Sequence, residues 1–213
     1  MNTLDFILKK LAYDPNAPLP WQIPNVSRVD LVKWFRELDF KTGVEIGVAD
    51  GEYAKIICEI NPQMKLFGVD LYKPYSGYKD YTLKETFEGM RSHALHVMEP
   101  YTKRNRWELI EKESMEAAKQ FSDNSIDLVY IDGNHSDPWV SQDINEWSKK
   151  VRSGGIVAGH DWMRNKNNTW NVKDAVQRYT KENNINPWFI LGTDAVLPGM
   201  VREGSRSWMF VRP

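Results

Sequence analysis

Apolar positions along this chain fall into two patterns: short runs of β-branched and aromatic residues, and longer stretches in which they recur every third or fourth position. The clearest run is Ile126–Ile131, IDLVYI. It breaks off in Asp132, Gly133, Asn134 and His135 before Ser136-Asp137-Pro138 opens a helix. Runs of the same kind stand at Thr42–Ile46, Lys65–Val69, Trp107–Lys112, Ile156–Gly159, Trp188–Leu191 and Trp208–Val211. The helical period marks Leu31, Trp34, Phe35 and Leu38 after a capping box at Ser27 and Asp30, and then Ala54, Ile57 and Cys58. It returns at Leu83, Phe87, Met90, Ala94 and Val97 after a second box at Thr82 and Glu85, and in Ser114–Phe121. The last two helical stripes are Val140, Ile144, Trp147 and Val151, ended by Gly154-Gly155, and Val172, Ala175, Val176 and Tyr179.

Strands alternating with helices predict a doubly wound, Rossmann-like α/β sheet of seven strands, mostly parallel, with helices on both faces. The last two strands are joined by a connection too short for a helical crossover, which predicts an antiparallel C-terminal hairpin. A single domain is expected over 1–213, with its core from 27 to 213. Residues 1–26 hold a short helix and the run DPNAPLPWQIP, read as an irregular arm or lid because each proline blocks regular pairing.

Open α/β sheets bind ligands outside the carboxyl ends of their strands, so the polar residues that terminate each run are the candidates for chemistry. Gly47 and Gly51 follow the first run and let a ligand approach the backbone closely, although Gly-x-x-x-Gly is not the Gly-x-Gly-x-x-Gly of nicotinamide-binding folds. Asp70 ends the second run, where a carboxylate can accept both hydroxyls of a ribose. Asp132 and Asp161 end neighbouring runs, and two facing carboxylates repel unless one is protonated or a cation lies between them. Oxygen donors favour a hard ion such as Mg²⁺, and an imidazole from His160 favours Mn²⁺ or another transition ion; the plainer role for both aspartates is capping and loop hydrogen bonding. His135 is either a general base or a residue that orders its turn. Trp162 is placed to line the site, Trp139 and Trp170 are equally suited to the core, and Lys73, Tyr78 and Lys79 read as solvated surface.

Charge and composition narrow the partners. Lys and Arg number 28 against 29 Asp and Glu, so no global positive field points to nucleic acid or an anionic membrane. A single cysteine excludes an intramolecular disulfide framework and suits a reducing, cytoplasmic setting. The sequence shows no signal-peptide h-region and no apolar stretch of about 18 residues, so a soluble protein is expected, with homo-oligomers compatible.

VEIGVADGEY, FGVD, IDLVYIDGNH and GGIVAGHDW together resemble the successive motifs of class I S-adenosylmethionine-dependent methyltransferases, from roughly Thr42 to the C-terminus. IDGNH combined with a Gly-Gly strand ending in His-Asp-Trp is similar to the metal-dependent, macrocin O-methyltransferase-like subgroup that acts on sugars of natural products; catechol-type enzymes share that metal arrangement. The resemblance implies Glu45, Gly47 and Gly51 at the methionine end of S-adenosylmethionine, Asp70 on its ribose, Ser114 near its adenine, and Asp132 beside it. It also implies Asp132 and Asp161 on a divalent cation, with His160 alongside, and His135 as general base. Two departures stand out: Lys112 and Glu113 precede Ser114 where family members often have Gly, and His160 replaces a more usual Asp or Asn. The implied activity is methylation of a hydroxyl on a sugar or other small molecule, assisted by Mg²⁺ or Mn²⁺. Two alternatives are a metal-independent N- or O-methyltransferase and a noncatalytic S-adenosylmethionine-binding module serving a partner protein.

Overall fold

The computed structural model describes residues 2–11, 16–75, 77–78, 83–163, 171–193 and 205–213. Asp14, Pro15, Lys79, Thr82 and the 164–170 loop with Trp170 lie outside the described residues. In chain order the elements are α1 (Thr3–Leu11), β1 (Trp21–Ile23), α2 (Arg28–Glu37), β2 (Thr42–Ile46), α3 (Glu52–Ile60), β3 (Lys65–Val69), α4 (Lys84–Thr102) and β4 (Trp107–Ile110). They continue as α5 (Ser114–Ala118), β5 (Ile126–Ile131), α6 (Trp139–Lys150), β6 (Val151–Gly159), α7 (Val172–Glu182), β7 (Trp188–Leu191) and β8 (Ser207–Val211).

The strands form one sheet in the order β1-β7-β8-β6-β5-β2-β3-β4, in which β8 runs antiparallel to both neighbours and the other pairings are parallel. From β2 the chain winds outward through β3 to β4, then returns to β5 on the other side of β2 and winds away through β6. The switch point therefore lies between β2 and β5, where the carboxyl ends diverge and a crevice opens. Period-two alternation divides the core. Leu128 and Tyr130 of β5 pack with Leu31, Phe35, Ala54 and Ile57 on one face, while Val129 and Ile131 pack with Val140, Ile144 and Trp147 on the other. Asp127, the one polar residue inside β5, is satisfied at the strand's amino end by the backbone N–H groups of Lys41 and Thr42 and by Arg152.

Several boundaries differ from expectation. The sheet has eight strands rather than seven, because Trp21–Ile23 pairs parallel with β7 at the sheet edge. Pro20 and Pro24 flank that segment without interrupting it, and a proline is compatible with an edge where one side needs no partner. Ile7 of α1 is fully buried in the core, so this part of the N-terminal segment is packed against the fold. Gly154-Gly155 does not end the crossover helix: α6 stops at Lys150, β6 begins at Val151, and the glycines occupy an irregularity in register with β5. The capping box of Ser27 and Asp30 is present in both directions. Leu83, by contrast, is 64% exposed at the cap of α4, and Met98 takes the buried place expected of the stripe's end. Among the described residues no helix is long and apolar enough to cross a membrane.

Candidate active site

A cavity of about 920 Å³ opens at the carboxyl ends of β2 to β6. Its floor is the switch point itself. Gly47 has φ +85°, and a Cβ there would stand 2.1 Å from the carbonyl oxygen of Asp132, so only glycine lets the ends of β2 and β5 approach this closely. The turn continues through Ala49 at φ 48° and Gly51 at φ 83°. Asp70 braces it: one carboxylate oxygen accepts from the N–H groups of Val48 (3.0 Å) and Ala49 (3.1 Å), and the other from Tyr72 N–H (2.9 Å). Burial nevertheless leaves the Asp70 carboxyl above its ordinary pKa, against the pull of these amides. Asp70 is thus the keystone of the turn as well as a wall of the cavity.

At one end of the cavity β5 and β6 bring four predicted residues together. His135 Nε2 stands 2.8 Å from Asp161 Oδ2 and 3.6 Å from Asp132 Oδ1; His160 Nδ1 stands 3.4 and 3.9 Å from the same two oxygens. Burial acts to raise the Asp161 carboxyl, but the imidazoles of His135 and His160 outweigh it and hold the group well below the carboxylate range. Asp161 itself adopts φ 51°, a left-handed turn that Asp tolerates better than bulky residues and that clusters at functional sites. One ligand atom each from Asp132, His135 and Asp161 lie within 4.8 Å of one another, a spacing compatible with one small cation.

Beside this cluster Glu45 is fully enclosed, and its Oε2 has no hydrogen-bond partner. Burial, reinforced by the charge of Asp132, pushes its pKa well above the ordinary value. Arg28, the first residue of α2, reaches in to 4.0 Å from Asp132 and lies over the Tyr53 ring, 4.9 Å from its centroid.

At the far end, after β4, the indole N–H of Trp147 donates to Ser114 Oγ over 2.7 Å. Ser114 in turn hydrogen-bonds Asp143 of α6, a cavity-lining residue only 4% exposed whose carboxyl burial pushes up to about 7.

Of the residues singled out from sequence, Glu45, Gly47, Asp70, Ser114, Asp132, His135, His160 and Asp161 all line the cavity. Gly51 does not; it caps α3 and packs close to Ala94 of α4. Trp162 also turns away, and its ring meets Trp188 at 5.3 Å in the core, whereas Trp139 and Tyr78 line the cavity. Sequence reasoning missed Arg28 and Asp143. Arg28 carries no local signal. Asp143 does, since it lies three residues after Val140 and four before Trp147, an acid on the buried stripe of α6.

A family model described as "Methyltransferase domain" matches residues 44–162, more than half of the chain. Among solved structures, a Staphylococcus aureus protein ascribed to the caffeoyl-CoA O-methyltransferases superposes with a TM-score of 0.60 at 14% identity, covering 98% of this chain and 90% of its own. A Klebsiella pneumoniae protein ascribed to the O-methyltransferases gives 0.58 at 14%, covering 99% and 90%, and a Clostridium thermocellum protein ascribed to the rRNA methylases gives 0.59 at 11%, covering 88% and 98%. At these identities the likeness is one of fold, and the neighbours' substrates differ. No curated protein matches the sequence significantly.

Proposed function

The chain belongs to the methyltransferase-domain family and is an S-adenosylmethionine-dependent methyltransferase; from that premise we propose that its acceptor is a hydroxyl of a small molecule, such as a sugar, and that a divalent cation assists. The observation carrying this reading is the convergence of Asp132, His135, Asp161 and His160 at one end of the cavity. The donor set fits a cation: two carboxylates and an imidazole with mutually compatible spacing, in a site where the carboxylates otherwise face each other. Bound there, Mg²⁺ or Mn²⁺ supplies a Lewis acid that lowers the pKa of an acceptor hydroxyl. The fit to the cofactor rests on Glu45, whose unpartnered buried oxygen is an acceptor for the ammonium of its amino-acid end. When bound, S-adenosylmethionine supplies an electrophilic sulfonium methyl.

The chain's own residues then hold the reactants in line and take the proton. With the cofactor bound, an imidazole of this cluster would accept the proton of the acceptor hydroxyl as that oxygen takes the methyl group and S-adenosylhomocysteine leaves. A nitrogen that ligates a cation has no lone pair left for a proton, so His135 Nε2 cannot serve both roles. His135 lies closer to both carboxylate oxygens than His160 does, which supports His135 as the third ligand and His160 as the base, the reverse of the roles that the family resemblance implies. One observation favours a second reading: the 2.8 Å contact of His135 with Asp161 is also what a metal-independent enzyme needs to orient His135 as its base. Turnover after chelation and dialysis, with Mg²⁺ or Mn²⁺ restored, separates the two. The metal-assisted reading expects activity to vanish and return with the ion, and Asp132→Asn to lose turnover while still binding S-adenosylhomocysteine. Full activity in the chelated protein sinks it.

A further inference from the structure

Arg28 enters the cavity from a helix that precedes the matched domain at 44–162, and two buried tyrosines hold it in place. It opens α2 directly after the Ser27 cap, and its backbone carbonyl accepts from the Tyr53 hydroxyl at 3.3 Å. Its side chain, 35% exposed, lies over the Tyr53 ring and hydrogen-bonds Tyr130 of β5. A guanidinium can only donate, so the Tyr130 oxygen accepts from it and the hydroxyl proton turns to Ser207 Oγ, 3.0 Å away in the core. Drawing a charge out of water is unfavourable, and here buried hydroxyls are committed to fixing its pose. Of the described lysines and arginines that line the cavity, Lys73 and Lys112 are exposed, and Arg28 alone is drawn inward, to 4.0 Å from Asp132.

We propose that Arg28 is a specificity-determining residue for the acceptor, binding a carboxylate or phosphate carried by the hydroxyl compound, so that the substrate class is a hydroxylated organic acid or a phosphorylated sugar and not a neutral sugar. This rests on the cation-assisted reading above. The balance of charge supports it. Asp132 and Asp161 together match a divalent ion, and ionised Glu45 matches the net single positive charge of S-adenosylmethionine. Arg28, positive at any working pH, adds one charge more, which an anionic acceptor neutralises and a neutral one does not. Its planar fork of N–H donors also fits the paired oxygens of a carboxylate or phosphate, whereas a sugar hydroxyl offers a single oxygen. The approach to Asp132 sets this oxyanion site beside the end of the cavity where the acceptor hydroxyl is activated. Tyr130 acts through Arg28 as a positioning residue.

The test measures the affinities of glucose, glucuronate and glucose 6-phosphate for the full chain loaded with Mg²⁺ and S-adenosylhomocysteine, by saturation-transfer NMR, which registers weak ligands. The wild type should bind one of the two acids about tenfold or more tightly than glucose, and which acid it is distinguishes carboxylate from phosphate. Arg28→Met should bring that acid to within about threefold of glucose, and Arg28→Lys, a point charge without the fork, should keep part of the preference. Tyr130→Phe should lower the preference while leaving the affinity for glucose unchanged. Thermal denaturation of each variant establishes that it is folded, and calorimetry establishes that Arg28→Met still binds S-adenosylhomocysteine. No preference for either acid in the loaded wild type, or an unchanged preference in folded Arg28→Met, overturns the assignment. Loss of S-adenosylhomocysteine binding in folded Arg28→Met also overturns it, by giving Arg28 to the carboxylate of the cofactor. A wild type that fails to take up Mg²⁺ or S-adenosylhomocysteine in the same calorimetry overturns the reading on which this rests, a result separate from an absent acid preference in the loaded protein.

Discussion

Replacing Asp143 by Asn should make the unliganded protein more stable at pH 8. The magnitude follows from burial. An aspartate titrates near 3.8 when solvated, and in the folded chain Asp143 is pushed up to about 7. Those roughly three pH units, at about 1.4 kcal/mol each, set an upper bound of about 4 kcal/mol on the stability lost by ionising it in place. Because the folded pKa is raised, the loss is absent below pH 3.8, grows as pH rises from there toward 7, and is complete above 7. Asparagine keeps a carbonyl for Ser114 and never ionises, so it removes that loss. For a chain of this length, a gain of about 1–4 kcal/mol raises Tm by roughly 2–4 °C per kcal/mol. Differential scanning calorimetry of wild type and Asp143→Asn at pH 8, 6 and 4.5 should show an advantage for the variant that shrinks steadily toward acid. A difference independent of pH, or a variant less stable than the wild type at pH 8, refutes the account of Asp143 as a buried, poorly compensated carboxylate. Binding sites often carry stability deficits of this kind.

Two further outcomes test the scaffold. Gly47→Ala should destabilise the fold by more than about 3 kcal/mol in urea denaturation, since it combines a left-handed φ with a Cβ driven against the Asp132 backbone; a loss under about 1 kcal/mol would mean that the switch point is not held as closely as described. Cys58, whose thiol burial pushes up to about 12, should resist an aromatic disulfide reagent at pH 8 in the native protein and react only after denaturation, whereas rapid native labelling contradicts its place in the core.

What the sequence disclosed, and what it hid, follows physical lines. Thr42–Ile46, Lys65–Val69 and Ile126–Ile131 are strands with the ends expected of them, because a doubly buried strand needs an unbroken apolar run and a polar stop. The polar stops were therefore legible too, and Asp70, Asp132, His135, His160 and Asp161 all reach one cavity. Trp21–Ile23 escaped notice because three residues between prolines carry no periodicity; what makes them a strand is the neighbouring β7, many residues away.

Side-chain direction was the harder quantity. Trp162 directly follows Asp161, yet the left-handed φ of Asp161 turns the chain between them, so the carboxylate faces the cavity and the indole meets Trp188 in the core. Nearness in sequence could not reveal that turn. Helical spacing, in contrast, does convey direction. Asp143 shares the buried stripe of α6 with Val140, Ile144 and Trp147, and an acid on such a stripe is unfavourable unless something rewards its presence. The structure supplies a cavity wall, an oriented hydroxyl and an open space beside the carboxylate, all in the part of the site where the motif-based reading found only Ser114. An acid out of place in the apolar pattern of α6 is thus a wall of the cavity that the family motifs did not cover.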